Sequence, residues 1–450
     1  MTMSKNELSM LTVSTKQQRI AQIARQHKEE PITQLHHYMD EKWLMSAFSE
    51  LRKGSAPGID ALTVKEYWYG IEEKLKQLKD AALSGNYKAP PVKRVEIPKP
   101  GSRETRPIGI PTTEDKILQK AIQMLLSPVY EEEFYEFSFG FRAGKSAHQG
   151  LAYIWKKIMD NNIQWIIDLD IRKFFDSVKH DILQELLSIR IRDGVVRRLI
   201  GKWLNAGVMK NRVISYPEEG TPQGGIISPL LSNIYLHEVM DKWYMKEIRP
   251  RLKRRSFMIR YADDALLGFE SQQEAEEVLQ ALQKRLIQYG LELHPEKTRL
   301  VYFGIPGQNS KNAVKVEPDS FDFLGFTHYW GKSLKGFWIV KRKTAGKKFR
   351  EKLKKIKEWC KENRHLPFQE QHAQLCRKIK GHYGYYGITG NARSLAKYLN
   401  EVTKIWKKWL NRRSSQGYRL NWDKFNVLLD SYIPLPPIKV PHSIYRVAKP

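Results

Sequence analysis

Cysteine is almost absent from this chain of 450 residues: Cys360 and Cys376 are the whole supply. Two thiols cannot build a disulfide framework, and without a CxxC pair they cannot close a zinc knuckle or the zinc site of a nuclease module, so both are expected to be reduced and structural. Long apolar runs are missing too. No stretch of about 18 consecutive apolar residues occurs, and the opening MTMSKNELSM has no apolar signal core. The chain therefore reads as soluble and intracellular, with no membrane among its partners. Acidic charge is scarce: 49 Asp and Glu stand against 77 Lys and Arg, a formal charge of +28. Such an excess makes a polyanion the first partner to consider, and nucleic acid the leading one.

What is present divides into an N-terminal arm, an α+β body and a basic C-terminal region, within the two or three domains that the length allows. Residues 1–40 are polar, with helical character from Thr15 to Glu30 and a stop at Pro31. VKRVEIPKPGSRETRPIGIP reads as a hairpin turning at Lys99-Pro100-Gly101, and helices are expected over Ile71–Leu83 and Glu114–Leu126. QWIIDLDI (164–171) is a short, nearly continuous apolar strand, and FMIRYADDALLGF (257–269) is two strands around a tight turn. Ser271 and Glu274 form a capping box for a helix with Val278, Leu279, Leu282, Leu286 and Ile287 on its apolar stripe and Gly290 at its end. The α+β body spans 41–330. After residue 331 the composition changes: KRKTAGKKFREKLKKIK (341–357) has ten basic residues and one acidic. The last stretch, IPLPPIKVPHS, is Pro-rich and expected to be extended.

Two apolar strands carry carboxylates that need a reason. Asp168 and Asp170 share one face of their strand, and either could serve as a ligand. Asp263 and Asp264 are neighbours, which a straight strand would send to opposite faces, so both address one site only at a turn. In-line displacement at a phosphate is assisted by two Mg²⁺ ions held by hard carboxylate oxygens, and three Asp suffice for that. Between the strands lies EGTPQGGIISPLLSNIYLHEVMD, where Gly224 and Gly225 would let a nucleic-acid backbone or base pair come close. In the basic region, Lys347, Lys348, Lys354 and Lys355 precede Trp359, His382, Tyr383, Tyr385, Tyr386, Trp406 and Trp409. Such interleaving suits phosphate neutralisation with ring stacking, although some of these rings must be core.

The blocks KGSAPGIDALT, IPKPGSRETRPIGIP, SFGFRAGKSAHQGL, IIDLDIRKFFDSV, GTPQGGIISPLLSNIYL, RYADDALLGF, GLELHPEKTRLV and FDFLGF follow one another between residues 53 and 326. In this order they resemble reverse transcriptases, specifically the reverse transcriptase-maturases of group II introns. GHYGYYGITGN (381–391) resembles that family's thumb, or maturase domain.

The resemblance implies a right-hand polymerase, with fingers and palm over 41–330 and an α-helical thumb/maturase domain with a Pro-rich tail over 331–450. It selects Asp170 rather than Asp168 as the ligand that joins Asp263 and Asp264, and counts Ile171 among the metal-holding positions for two Mg²⁺ ions. It assigns Lys99 and Arg106 to the incoming triphosphate, Gln223 to the templating base pair, Phe175 to the face beneath the sugar, and Lys297 to the departing pyrophosphate as a possible general acid. The implied partners are an RNA template, a DNA primer or target, deoxynucleoside triphosphates and the parent intron RNA, for a bacterial cytoplasmic monomer or homodimer. Rival readings are a non-enzymatic RNA-binding splicing factor, and a domesticated reverse transcriptase in DNA repair or antiphage defence. Many family members add a zinc-bound HNH endonuclease after the thumb. This chain has neither the cysteines nor the length for one, so second-strand cutting is expected to fall to another enzyme or to be unnecessary.

Overall fold

The computed structural model describes residues 12–98, 105–210, 213–216, 220, 224–307, 317–413, 420–430 and 434–447. In chain order the strands are β1 (Val92–Pro98), β2 (Thr105–Ile110), β3 (Trp165–Leu169), β4 (Val208–Lys210), β5 (Val213–Ser215), β6 (Ser256–Tyr261), β7 (Asp264–Phe269), β8 (Arg299–Tyr302), β9 (Phe321–Phe323), β10 (Phe326–Lys332) and β11 (Trp338–Thr344). They form three sheets, ordered β2-β1-β4-β5, β6-β7-β3-β8 and β11-β10-β9. With helices packed around largely antiparallel sheets, the chain is an α+β protein.

The expected hairpin is β1–β2, though its Lys99-Pro100-Gly101 turn lies outside the described residues. The helix Thr113–Glu131 is apolar on nearly all sides because it runs through the main core, where Ile117, Leu118, Ala121, Ile122 and Leu125 have no exposed surface. Against it lies the helix Val13–Gln26, whose Ile20 and Ala24 are buried while Lys16 Nζ pairs with Asp40 Oδ2 at 2.6 Å. The segment expected to be an arm is thus part of the core, because an apolar i, i+4 pair sits on its otherwise polar helix.

The helix Gln272–Gln288 is capped by Ser271, whose hydroxyl accepts from the Glu274 N–H, but the capping box is half made. Glu274 Oε1 accepts instead from the N–H groups of Lys253 and Arg254, at 2.9 and 3.3 Å. Ile287, placed on the apolar stripe by periodicity, is 61 % exposed; Ala275, Val278, Leu282 and Leu286 form the buried face.

A boundary at residue 331 does not survive the pairing: β10 and β11 join across it in full register from Phe326–Thr344 to Lys332–Trp338. The C-terminal helices Gly346–Glu362, Phe368–Tyr386 and Ala392–Leu410 share a second core with Leu151, Ala152 and Phe326. Residues 434–443 form no helix, and His442 is bridged to Ile388, its N–H donating to the Gly387 carbonyl at 3.0 Å.

Candidate active site

Pairing of β3 with β7 sets Asp168 opposite Leu266 and Leu169 opposite Ala265. One further step in that register brings Asp170 across from Asp264, and facing residues of an antiparallel pair have Cβ atoms about 4.5–5.5 Å apart. The β6–β7 turn passes through Ala262 and Asp263, with Ala262 in the left-handed region at φ 58°. This turn frees two consecutive carboxylates from the alternation of a strand.

Asp264 opens onto solvent, yet protein surrounds its carboxyl on the other sides. Burial, followed by the negative charge of Asp263, Asp170 and Asp168, pushes it up to about 7, with Lys348 opposing. Burial and then the Asp170 charge likewise raise Asp263, against Arg106 and Arg260. Asp170 accepts from Lys297 Nζ through both oxygens, at 3.4 and 3.3 Å, and its carbonyl accepts from the His294 N–H at 2.7 Å. Asp168 is engaged elsewhere: Arg299 Nη2 donates to its Oδ2 at 3.2 Å from the adjacent strand.

Asp168, Asp170, Asp264, Lys297, Arg299 and Lys347 line one cleft of about 450 Å³. Among the described residues no three His, Cys, Asp or Glu side chains are drawn together as tightly as a metal-ligand set. In charge and donor type the trio nonetheless fits a hard divalent cation: its oxygens are hard, and their mutual repulsion is relieved by positive charge. Ile171 is buried and bridged to Leu293, so only its carbonyl could contribute to such a set.

Phe174 is buried against Tyr235, whereas Phe175, 5.3 Å from it between centroids, is partly open. Arg106 is exposed on β2. Lys99 and Gln223 lie outside the described residues. Lys297 sits in a turn, its N–H donating to the His294 carbonyl at 3.3 Å. Lys347, Lys348, Lys354 and Lys355 are all exposed on the helix Gly346–Glu362. Lys347 reaches the carboxylate cleft, whereas Lys355, with Lys352, Lys378 and His382, lines a second cavity of about 480 Å³.

Two expectations are corrected. Tyr383 is only 2 % exposed, packed in the second core with its hydroxyl on the Pro436 carbonyl at 3.4 Å, so it offers no face to a base. Leu375, Ile379, Tyr383 and Tyr386 recur at helical spacing, the signal that would have marked it as core. Gly224 meets protein at close range: a Cβ there would stand 2.6 Å from the Gly109 carbonyl oxygen, and its φ is 113°. Its missing side chain serves the approach of the loop to β2.

Sequence reasoning passed over Arg260. It is fully buried on β6 and donates to both Asp241 oxygens: Nε at 2.8 and 3.1 Å, Nη2 at 2.6 Å. Its Nη1 reaches Asn233 Oδ1 at 2.8 Å and the Ala262 carbonyl at 3.0 Å, tying the pair to the carboxylate turn. Burial pushes the Asp241 carboxyl up, but Arg260 and His237 together hold it below its ordinary value. Asn233 Nδ2 also bonds the Gly140 carbonyl at 2.7 Å, and a Cβ on Gly140 would lie 2.3 Å from the Ala262 nitrogen. A charged residue in the run Phe257-Met258-Ile259-Arg260 was the available signal, since such a residue is buried only when paired.

The sequence model for reverse transcriptase (RNA-dependent DNA polymerase) matches residues 97–328. The group II intron-encoded protein LtrA of Lactococcus lactis subsp. cremoris is 35 % identical over 225 residues, which cover 48 % of this chain and 37 % of that protein. Protein YkfC of Escherichia coli (strain K12) is 33 % identical over 320 residues, 63 % of this chain and 79 % of that one. A nuclear intron maturase of Arabidopsis thaliana mitochondria is 27 % identical over 144 residues, 31 % of this chain and 17 % of that protein. The chain thus spans little more than a third of the LtrA protein's length.

Proposed function

Because this chain belongs to the reverse transcriptase family, in its group II intron-encoded branch, we propose that it extends a DNA primer on an RNA template from deoxynucleoside triphosphates. The observation that carries the reading is that Asp170 and Asp264 line one open cleft beside the turn bearing Asp263, just past the Leu169–Ala265 pair of β3 and β7, and that these carboxylates repel one another. In a right-hand polymerase, β6-β7-β3-β8 is the palm, the sheet of β1 and β2 with its neighbouring helices the fingers, and the helices from Gly346 onward the thumb.

Asp170, Asp263 and Asp264, with the Ile171 carbonyl, would hold two Mg²⁺ ions, which when bound stabilise the attacking and leaving oxygens. The protein's own groups do the rest. Arg106, with Lys99, draws the triphosphate toward the cleft, its planar fork gripping phosphate oxygens. Lys297, whose ammonium lies on Asp170, balances the leaving pyrophosphate and can hand it a proton from Nζ. Phe175 supports the sugar, and Gln223 borders the templating pair. Lys347 and Lys348 neutralise a strand entering beside the carboxylates, and Lys354 and Lys355 continue that basic face.

That face also supports binding of the parent intron RNA and assistance with its splicing. A relic site in a purely RNA-binding splicing factor is disfavoured, since nothing would maintain three crowded, mutually repelling carboxylates. The test is extension of a labelled DNA primer on an RNA template by the purified chain. Extension that requires a divalent cation and deoxynucleotides supports the proposal; RNA binding without extension under any such condition contradicts it. Enhanced splicing of a flanking intron RNA by the same protein tests the maturase part.

A further inference from the structure

The hairpin of β10 and β11 carries a surface that the reaction above does not use. Residues 331–344, GKSLKGFWIVKRKT, include five basic residues and no acidic one. The loop at its tip is bonded at three points: Ser333 N–H to the Phe337 carbonyl at 2.8 Å, Gly336 N–H to the Ser333 carbonyl at 3.1 Å, and Phe337 N–H to Ser333 Oγ at 3.1 Å. Gly336 makes this closure possible with a φ of 82°. The loop backbone is therefore ordered, and beside Lys335 it presents large apolar side chains: Leu334 is fully exposed, Phe337 69 % and Trp338 36 %. Large apolar groups exposed together on an ordered loop mark a contact surface.

Behind the tip the pleat lays out a basic row. Tyr329 pairs with Lys341 and Thr327 with Lys343, so these four share a face. Lys343 Nζ lies 5.1 Å from the Tyr329 ring centroid, whereas Lys332 and Trp338 pair on the opposite face, with Lys332 Nζ 5.5 Å from the Trp338 centroid. Gly331 leaves room for Lys341 to cross the strand, because a Cβ there would be 2.9 Å from its side chain.

We propose that this hairpin docks an unpaired stretch of RNA, with Phe337 stacking on a base at the tip and Lys341 and Lys343 neutralising phosphates along one face. On this face two lysines stand against a single carboxylate, Asp322 beside Thr327, a balance that favours a polyanion over a protein face, and the exposed Phe337 ring favours a base not already stacked in a duplex. β10 begins two residues after Leu324, which lines the catalytic cleft. Seven strand residues then carry the tip about 20 Å further on. The contact lengthens the path of a bound RNA without touching the reacting groups. It rests on the nucleic-acid reading given above.

The experiment uses the full chain and fluorescence anisotropy with a labelled 20-nucleotide single-stranded RNA, the same sequence as blunt duplex RNA, and the same sequence as single-stranded DNA. The Leu334→Ala/Phe337→Ala variant should bind the single-stranded RNA about five- to a hundredfold more weakly and the duplex as before, since stacking on one ring contributes about that factor. Lys341→Ala/Lys343→Ala should reduce the salt slope by about 1.4 for the loss of two phosphate contacts on a single strand. Unchanged single-strand binding, or an equal loss on the duplex, overturns the proposal; an equal loss on single-stranded DNA overturns the choice of RNA. Both variants should keep primer extension on a short primer-template. A chain that never extends, yet loses single-strand RNA binding in these variants, would refute the polymerase reading and leave the docking surface standing.

Discussion

Replacing Arg260 with Met removes the donor fork beneath the Asp263–Asp264 turn. The Asp241 carboxylate is then buried with His237 alone, 3.6 Å away, and orphaning a buried charge costs about 3–5 kcal/mol. The Arg260→Met/Asp241→Leu double variant removes both charges, and such apolar replacements are often neutral or stabilising by about 1–4 kcal/mol. It still leaves the Ala262 carbonyl and Asn233 Oδ1 without their donor, about 1–3 kcal/mol each before relaxation. Its stability should therefore return to within a few kcal/mol of the parent. Extension should not return with it. A turn released by about 1 Å misplaces two of the three carboxylates, and that degree of misplacement costs roughly a hundredfold in rate. Chemical denaturation gives the stability, and single-turnover extension across a Mg²⁺ titration gives the rate. A double variant that recovers both would show that Arg260 acts only through stability.

Asp168→Asn should retain far more extension activity than Asp170→Asn, because Asp168 is already paired with Arg299; equal losses would undo that distinction. Phe175→Ala should raise ribonucleotide incorporation relative to deoxynucleotide by about 10²-fold in the ratio of kcat/KM values, while Phe174→Ala should mainly destabilise the core. A shift of that ratio in Phe174→Ala alone would reverse the two roles. Burial holds His382 down to about 4, stacked between Tyr386 and Tyr398. Its ordinary value is about 6.5, so its contribution to stability is complete above that pH and is lost as pH falls toward 4, amounting to about 2 kcal/mol at pH 5. His382→Phe should remove this acid sensitivity, as seen in unfolding of the C-terminal helices at pH 7 and pH 5; an undiminished loss would mean that another group titrates there.

Local periodicity made much of the body legible. The apolar run around Asp168 and the Tyr261-Ala262-Asp263-Asp264 turn are strands and a hairpin because short apolar runs bounded by polar residues have few other options. Illegible were the features decided between elements. The Arg260–Asp241–Asn233 link joins residues up to 27 apart, and nothing in the spacing of the three names them as partners. Tyr383 reads as a stacking ring from its place among lysines, and only the packing of the neighbouring helices shows it to be core. The boundary at 331 followed composition, which changes at Gly331 in mid-hairpin, whereas hydrogen bonding continues to Thr344.

The most direct test of the central claim is extension of a DNA primer on an RNA template by Asp263→Asn beside the parent chain, with RNA affinity measured on the same preparations. The account predicts extension reduced to background at every Mg²⁺ concentration, with RNA affinity within about twofold of the parent. Near-normal extension by Asp263→Asn would contradict it.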